Sequence, residues 1–200
     1  VFGLEQPPGQ NDRTTFTRHA GKALSETLAM WYTHKSASDF EKGDGGMLVR
    51  PYRESDGEAL CDLFLDTIHN VCARDYDRAQ RDAWAPADFD RAAFCARLAH
   101  SVTLVVESDG VPLGFANLGQ DGYFDCLYVS ALSQRKGVAT LLADAIEAHA
   151  VQNGVRRMTS DVSITARPFF EGRGYRVVRE QTVQRRGVTL TNFHMEKVLQ

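Results

Sequence analysis

The chain has 200 residues, 43% of them hydrophobic and 24% charged, and a net charge of −3. This length and composition predict one globular domain with a substantial hydrophobic core. Because Lys and Arg form no basic block, nucleic acid is not expected as a partner. No apolar run approaches the ~18 residues of a membrane span, and no signal-peptide pattern opens the chain. A cytoplasmic protein without a membrane partner is therefore expected.

The cysteines indicate free thiols rather than disulfides or metal ligands. They lie in apolar stretches without CxxC spacing, at Cys61, Cys72, Cys95 and Cys126. Cysteines in such contexts are typically buried and reduced. We expect four free thiols and no metal site.

The first 46 residues differ in composition from the rest. They contain Pro7-Pro8-Gly9 and end in Lys42-Gly-Asp-Gly-Gly46, a sequence typical of a flexible linker. Apolar residues with helical spacing run from Phe16 to Trp31 and allow one amphipathic helix. We therefore predict an N-terminal extension over 1–46 and one domain over 47–200. The extension either contributes little to chemistry or docks on a second subunit, so a homodimer is an open question.

The sequence after Met47 predicts one strand and three helices. Met-Leu-Val-Arg-Pro-Tyr is typical of a strand. Ser55-Asp-Gly-Glu58 matches a capping box, and apolar residues at helical spacing continue to Val71. A second, shorter helix is predicted over 76–84. Asp88 is expected to cap a third helix that ends near Leu98.

Short apolar runs separated by turn signals then predict an antiparallel meander, followed by alternating helices and strands. The predicted strands are 102–107, 111–117, 123–129, 156–161, 175–186 and 188–197, and the predicted helices are 137–150 and 166–171. The order is β-α-α-α-β-β-β-α-β-α-β-β. It predicts an α+β fold in which helices flank both faces of a mixed, mostly antiparallel sheet.

The main motif, Gln134-x-x-Gly137-x-Ala139, lies between the third meander strand and the long helix. The first N–H groups of a helix have no partner within it and lie at the positive end of its dipole, so anions bind there. Gly137 and Ala139 leave room for a ligand beside the backbone. Arg135 and Lys136 add positive charge. The motif therefore predicts a phosphate site, and neither the dinucleotide nor the Walker glycine pattern occurs in the sequence.

This motif resembles the acetyl-CoA pyrophosphate loop, [QR]-x-x-G-x-[GA], of the GCN5-related N-acetyltransferase (GNAT) family. The stretch from Asp161 to Tyr175 looks like a second family signature, with Phe169-Phe170-Glu followed by Gly174-Tyr175. The last hairpin is similar to that of the YafP-like branch of the family. The resemblance covers about 47–199, and the order of elements is that of the GNAT fold.

The resemblance implies acetyl-CoA as co-substrate and assigns residues to it. Backbone N–H groups of the loop would hold the pyrophosphate with help from the Gln134 side chain. The end of the fourth strand would pair with the pantetheine arm, and the N–H near Tyr128 or Val129 would stabilise the oxyanion. The implied cofactor-binding residues are Leu127, Tyr128, Val129, Gln134, Arg135, Lys136, Gly137, Val138, Ala139, Thr140, Ser163, Phe169 and Phe170.

Two positions depart from the family pattern. Ser163 stands where the family often has an asparagine that contacts the cofactor arm, and a serine has a shorter reach. Phe170 stands where the family's usual general acid is a tyrosine, and phenylalanine has no proton to give. Tyr128 and Cys126 are the nearest candidate acids, although both also suit a hydrophobic core. Alternatively, the CoA thiolate leaves unassisted and takes its proton from water.

Candidate residues for the acceptor come from the fourth strand and from the variable segments. Strand alternation predicts that Asp125 faces away from Phe124 and Cys126, into the acceptor cleft. Asp125 is then a general base or an anchor for the amine, or else an ordinary hydrogen-bonded carboxylate. The other candidate substrate-binding residues, each of which equally suits packing or the surface, are His69, Tyr76, Trp84 and Asn192.

The sequence thus predicts an N-acetyltransferase that passes acetyl from acetyl-CoA directly to an amine of a small molecule or to an exposed amino group. No nucleophile elbow indicates an acyl-enzyme. Two alternatives stay open: a non-catalytic acyl-CoA-binding regulator, because the usual acid is missing, and a module in which the Gly137 turn only packs. The segments expected to form the acceptor cleft contain no acidic cluster that would select a polyamine or an aminoglycoside.

Overall fold

The computed structural model describes residues 46–119 and 121–199. The predicted helix between Phe16 and Trp31 lies outside these residues, as does most of the predicted linker. Met47 is 8% exposed and packs in the core just before the first strand. The domain boundary at Met47 stays a prediction.

The helices and strands of the described residues follow the predicted order. In chain order they are β1 (Leu48–Pro51), α1 (Gly57–Asp66), α2 (Arg78–Trp84), α3 (Arg91–His100), β2 (Val102–Ser108), β3 (Val111–Leu118), β4 (Phe124–Val129), α4 (Val138–Gln152), β5 (Arg157–Ser163), α5 (Arg167–Gly172), β6 (Arg176–Arg185) and β7 (Val188–Val198). A π-helical turn at Thr67–Val71 and a 3-10 turn at Cys72–Arg74 continue from α1. Within the described ranges, none of the helices is both long and apolar enough to cross a membrane.

The strands form two antiparallel sheets that meet along one edge. The first sheet has the order β1-β2-β3-β4 and the second the order β5-β7-β6. A parallel bridge between Tyr123 and Thr159 joins them at the start of β4. Because β7 pairs with β5, the final hairpin leaves β6 at the outer edge. The predicted α+β fold is confirmed, and its sheet is divided between β4 and β5.

Each face of the sheets carries its own hydrophobic core. Leu142 and Ile146 of α4 are fully buried in the first core. Phe64, Trp84 and Phe94, from α1, α2 and α3, are buried in the second core on the opposite face. Helices therefore flank both faces as predicted. The line along which β4 and β5 meet lies between the two cores.

The start of α1 differs from the prediction. The helix begins at Gly57, after a 3-10 turn at Glu54–Asp56, and not behind a capping box at Ser55. The Asp56 carboxylate accepts from the Arg53 N–H at 2.7 Å, and this bond closes the turn. Ser55 is exposed and its hydroxyl takes no part in the cap. The predicted capping box is therefore wrong, because the aspartate one position later supplies the acceptor.

The start of α3 is also shifted. Asp90 is the N-cap, and its carboxylate accepts from the Ala93 N–H at 2.9 Å. Asp88, which the sequence predicted as the cap, instead forms an ion pair with Arg186 at 2.9 Å. By sequence, both Asp88 and Asp90 suit the N-cap. In the structure Asp88 pairs with Arg186 of the final hairpin, and Asp90 caps the helix.

Candidate functional site

A cleft opens where β4 and β5 separate. The starts of the two strands are held together by the Tyr123–Thr159 bridge and by the Ser160 hydroxyl, which donates to the Phe124 carbonyl at 2.7 Å. Beyond this point lies a cleft of about 540 Å³. It is lined by most of the residues predicted to contact a cofactor, namely Leu127, Tyr128, Val129, Gln134, Arg135, Gly137, Val138, Ala139, Thr140, Ser163 and Phe169.

The turn before α4 has the geometry of an anion site. Gly137 is the N-cap with φ 85°, a conformation that suits glycine. The Leu141 N–H donates to the Gly137 carbonyl at 3.0 Å, so the N–H groups of the three residues between them have no partner within the helix. α4 has 15 residues, and the positive end of its dipole adds to these donors. A Cβ at Gly137 would meet no described atom within 4 Å, so the space before the turn is open.

The Gln134 side chain holds this loop from the inside. Its amide nitrogen donates to the Val129 carbonyl at 2.8 Å and to the Ser130 carbonyl at 3.3 Å. The Thr67 hydroxyl also donates to the Val129 carbonyl, at 3.1 Å. Gln134 therefore ties the loop to the end of β4, and help from its side chain in holding a pyrophosphate stays a prediction.

Phe170, one of the predicted cofactor residues, lies away from the cleft. Phe170 is fully buried in the core, with its ring centroid 5.4 Å from that of Phe124 and 5.0 Å from that of Tyr175. Its neighbour Phe169 lines the cleft instead, because successive residues of a helix point about 100° apart. The placement of Phe170 along the cofactor is therefore corrected. Lys136 is exposed in the loop, and its part in holding the pyrophosphate stays a prediction.

Ser163 lies at the end of β5 and lines the cleft. It is 2% exposed, and its hydroxyl oxygen accepts from the Ala166 N–H at 3.1 Å. This bond starts the turn that leads into α5. The serine that replaces the family's usual asparagine thus has a local structural partner, and its hydroxyl keeps the capacity to donate one hydrogen bond.

Asp125 does not have the orientation predicted from strand alternation. Asn117 pairs with Cys126 and Leu118 pairs with Phe124, so Asp125 is the extra residue of a β-bulge. A bulge puts two successive side chains on one face of a strand. Accordingly the Asp125 Oδ2 atom accepts from the Cys126 thiol at 3.6 Å. The prediction that Asp125 faces away from Cys126 is wrong.

The Asp125 carboxylate is held by three neighbours on the side of α3. Besides the Cys126 thiol, the Asn117 Nδ2 donates to it at 3.2 Å, and Arg97 Nη1 lies 3.4 Å from it. Its side chain is 13% exposed. Asp125 is therefore held in place by side chains from α3, β3 and its own strand.

The two candidate acids differ in position. Tyr128 lines the cleft and is 4% exposed, and its ring packs edge-on against Phe64 at 5.0 Å. Burial raises the pKa of the Tyr128 phenol well above its usual range, so the phenol stays protonated. Cys126 lies in the buried cluster, where burial, followed by the nearby Asp125 carboxylate, raises the pKa of its thiol. Arg97 Nη2 lies 3.8 Å from that sulfur. Of the two, Tyr128 is the residue that faces the cleft.

Of the four candidate acceptor residues, Trp84 is the one among the residues that line the cleft. The Tyr76 hydroxyl donates to the Thr191 carbonyl at 2.8 Å and accepts from the Ile164 N–H at 2.9 Å, which ties the segment after α1 to β5 and β7. His69 is turned away from the cleft.

His69 and Asn192 differ in how their polar atoms are satisfied. The His69 Nε2 atom lies 2.9 Å from the Ala85 carbonyl oxygen, which fixes the ring between two helices. Asn192 is 1% exposed on β7, opposite Ser163 of β5. Its Oδ1 atom has no hydrogen-bond partner in the described part of the chain. His69 therefore has a packing role, and Asn192 presents an unsatisfied acceptor.

Sequence reasoning missed three polar residues near Asp125. Arg97 comes from α3, Asn117 from β3 and Asp161 from β5. The Asp161 Oδ1 atom lies 2.7 Å from His194 Nδ1 on the neighbouring strand β7. An amide inside the otherwise apolar strand β3 was the only local signal, and it pointed to Asn117 alone.

The chain matches a family model described as acetyltransferase (GNAT) domain over residues 72–198. It is 34% identical over 148 residues to an uncharacterized N-acetyltransferase, YafP, of Escherichia coli (strain K12). That alignment covers 74% of this chain and 93% of the relative.

Solved structures show the same fold. A GCN5-related N-acetyltransferase from Rhodopseudomonas palustris is 38% identical, with a TM-score of 0.73 over 76% of this chain and 95% of that one. The PaiA N-acetyltransferase from Thermoplasma acidophilum, in complex with coenzyme A, is 17% identical, with a TM-score of 0.64 over 76% of this chain and 99% of that one. The second match extends to a distant relative and concerns the fold alone.

Proposed function

Because this chain belongs to the GNAT family, acyltransferases with acetyl-CoA as their co-substrate, we propose that it acetylates an amine by direct attack in a ternary complex. The acceptor is a small molecule or an exposed amino group. The observation that carries the proposal is the loop at Gly137, whose outward N–H groups and open front suit a pyrophosphate at the mouth of the cleft.

The reaction needs a place for each proton and for the developing charge. The neutral amine nitrogen attacks the thioester carbonyl carbon, a C–N bond forms, and the surplus amine proton passes to water. The backbone N–H near Tyr128 or Val129 stabilises the oxyanion at the open edge of β4. The C–S bond then breaks, and the sulfur leaves as a thiolate that water protonates. Tyr128, kept protonated by burial, donates a hydrogen bond to that thiolate.

One alternative has specific support, namely a non-catalytic acyl-CoA-binding module. Phe170 replaces the family's usual acid, and its ring lies in the core rather than along the cleft. This arrangement leaves binding of acetyl-CoA intact and removes one contribution to turnover. The two functions differ in one measurable respect, the release of free CoA when an amine is present.

The first test combines binding with turnover. Acetyl-CoA at about 100 times its Kd is expected to stabilise the chain by about 2.7 kcal/mol, which raises the unfolding midpoint by about 5–10 °C. A panel of amines is then assayed for release of the CoA thiol. Release that depends on an amine supports the transferase, and binding without release supports the regulator. An unchanged midpoint would contradict both.

Gln134→Glu tests whether the loop depends on its internal hydrogen bonds. The substitution replaces the donating nitrogen by an oxygen and sets a carboxylate against the Val129 and Ser130 carbonyls. We expect acetyl-CoA to bind about 5–30-fold more weakly, which corresponds to about 1–2 kcal/mol. Gln152→Glu, at the exposed end of α4, is the control and should keep the affinity. Equal Kd values in calorimetry would show that Gln134 does not position the loop.

A further inference from the structure

Acidic side chains meet beside the cleft, on the face covered by α2 and α3. The Tyr123–Thr159 bridge aligns the two strands, so Asp125 of β4 and Asp161 of β5 each lie two residues beyond it. The bulge turns Asp125 toward α3. Asp161 faces the same way, because its neighbour Val162 is buried in the opposite core. The two carboxylates therefore face one side of the β4–β5 gap.

Each carboxylate at this gap has a basic side chain close to it. Arg97 Nη1 lies 3.4 Å from the Asp125 carboxylate, and His194 Nδ1 lies 2.7 Å from that of Asp161. Two carboxylates thus lie at this gap, each beside one basic side chain. The four side chains are between 13% and 28% exposed, so the gap is partly open to solvent.

Two buried amide oxygens at the same gap lack donors. Asn117 is 0% exposed, and its Nδ2 donates to Asp125, but its Oδ1 has no partner among the described residues. Asn192 lies two positions before His194 on β7, faces the same side, and has the same deficit at its own Oδ1. A buried acceptor without a donor destabilises the fold. Both deficits would be relieved by a ligand with N–H or O–H groups.

We propose that this acidic gap, formed by Asp125, Asp161, His194, Asn117 and Asn192, is the acceptor subsite and takes a short diamine. The amine that is acetylated lies in the cleft, and the second, protonated amino group lies in the acidic gap. An ammonium group has three donors and a positive charge, so it matches two carboxylates and two amide oxygens that lack donors. This proposal rests on the proposed acetyltransferase function.

The spacing along β4 favours a short acceptor. Tyr128, which lines the cleft, is three residues beyond Asp125 on the strand, and this separation corresponds to about 10 Å. A five-carbon diamine spans about 7 Å between its nitrogens, and one hydrogen bond to a carboxylate adds about 3 Å. The two amino groups thus reach Tyr128 and the acidic gap together. A carboxylate at the far end of the acceptor would be repelled there.

The test measures binding of three acceptors of similar length to the full chain saturated with CoA. Cadaverine, pentylamine and δ-aminovalerate end in an ammonium, a methyl and a carboxylate group. Calorimetry is expected to show that cadaverine binds roughly tenfold more tightly than pentylamine and that δ-aminovalerate binds most weakly. Equal affinities for cadaverine and pentylamine would overturn the proposal. Tight binding of cadaverine without thiol release in the presence of acetyl-CoA would contradict the transferase function and leave the subsite standing.

Two variants assign the effect to the acidic gap. Asp125→Asn and Asp161→Asn each remove one negative charge and are expected to bring the cadaverine-to-pentylamine affinity ratio close to one. Glu180→Gln is the matched control, because Glu180 is an exposed carboxylate on β6 whose strand partner, Phe193, belongs to the opposite core. It should keep the full ratio. An unchanged ratio in both aspartate variants, with acetyl-CoA binding as the check on folding, would refute the assignment.

Discussion

Gly137→Glu is expected to weaken acetyl-CoA binding by at least about 100-fold, a loss of about 2.7 kcal/mol. The new side chain enters the open space in front of the turn, where the pyrophosphate would lie, and its carboxylate repels phosphate. It also brings a Cβ to a residue with φ 85°, which costs about 1–2 kcal/mol of stability. Calorimetry gives the affinity, and thermal unfolding gives the stability.

Gly154→Glu separates these two effects. Gly154 lies just after the other end of α4, has φ 75°, and offers an added Cβ equally open surroundings among the described residues. The same substitution therefore brings similar backbone strain and the same charge, but far from the loop. We expect a similar loss of stability and an unchanged Kd for acetyl-CoA. Equal affinity losses in the two variants would show that strain, not blockage of the anion site, explains the effect.

The second large effect concerns stability. Arg50 is an almost buried arginine that donates to both oxygens of Asp56, at 2.7 and 2.8 Å, and to Glu107 at 2.6 Å. Arg50→Met would leave two carboxylates without their counterion, with side chains only 8% and 16% exposed. We expect a loss of about 3–5 kcal/mol in the free energy of unfolding at neutral pH. Urea denaturation measures it.

Arg91→Met is the matched control for this loss. Arg91 also pairs with two carboxylates, Glu58 at 2.9 Å and Asp62 at 2.6 Å, but those side chains are 78% and 70% exposed. Water solvates them when the arginine is gone, so we expect a loss below about 1 kcal/mol. Similar losses in both variants would mean that burial of the Arg50 network contributes nothing to its strength.

Lowering the pH should reduce the difference in the free energy of unfolding between the Arg50→Met variant and the unsubstituted chain. Burial alone raises the pKa of Asp56, but the bonds from Arg50 and the Arg53 N–H outweigh it and hold that pKa below its usual value. The ionised Asp56 therefore stabilises the fold above its ordinary pKa, and this stabilisation is lost as pH falls through the folded value. Without Arg50, burial dominates, and protonation of Asp56 relieves the unpaired charge. The two unfolding free energies should converge as pH falls toward about 4, and a constant difference would contradict this account.

What the sequence determined by itself was local. The loop before α4 could be read from its residues, because a left-handed glycine, a helix N-terminus and an apolar strand are set by neighbours in the chain. The same holds for the order of helices and strands, which the structure reproduces within a few residues at each end. These are the features in which the resemblance to an acetyl-CoA site is found.

Only the tertiary structure decided which way key side chains face. Asp125 faces the same side as Cys126 because a bulge against β3 shifts the strand pairing. The alternation of side chains along one strand does not predict such a shift, because the shift depends on the partner strand. Phe169 and Phe170 are adjacent in sequence, yet Phe169 lines the cleft and Phe170 packs in the core. The acidic gap is a further arrangement that the sequence alone did not predict. Its residues come from four separate strands, β3, β4, β5 and β7, and strand pairing brings them together.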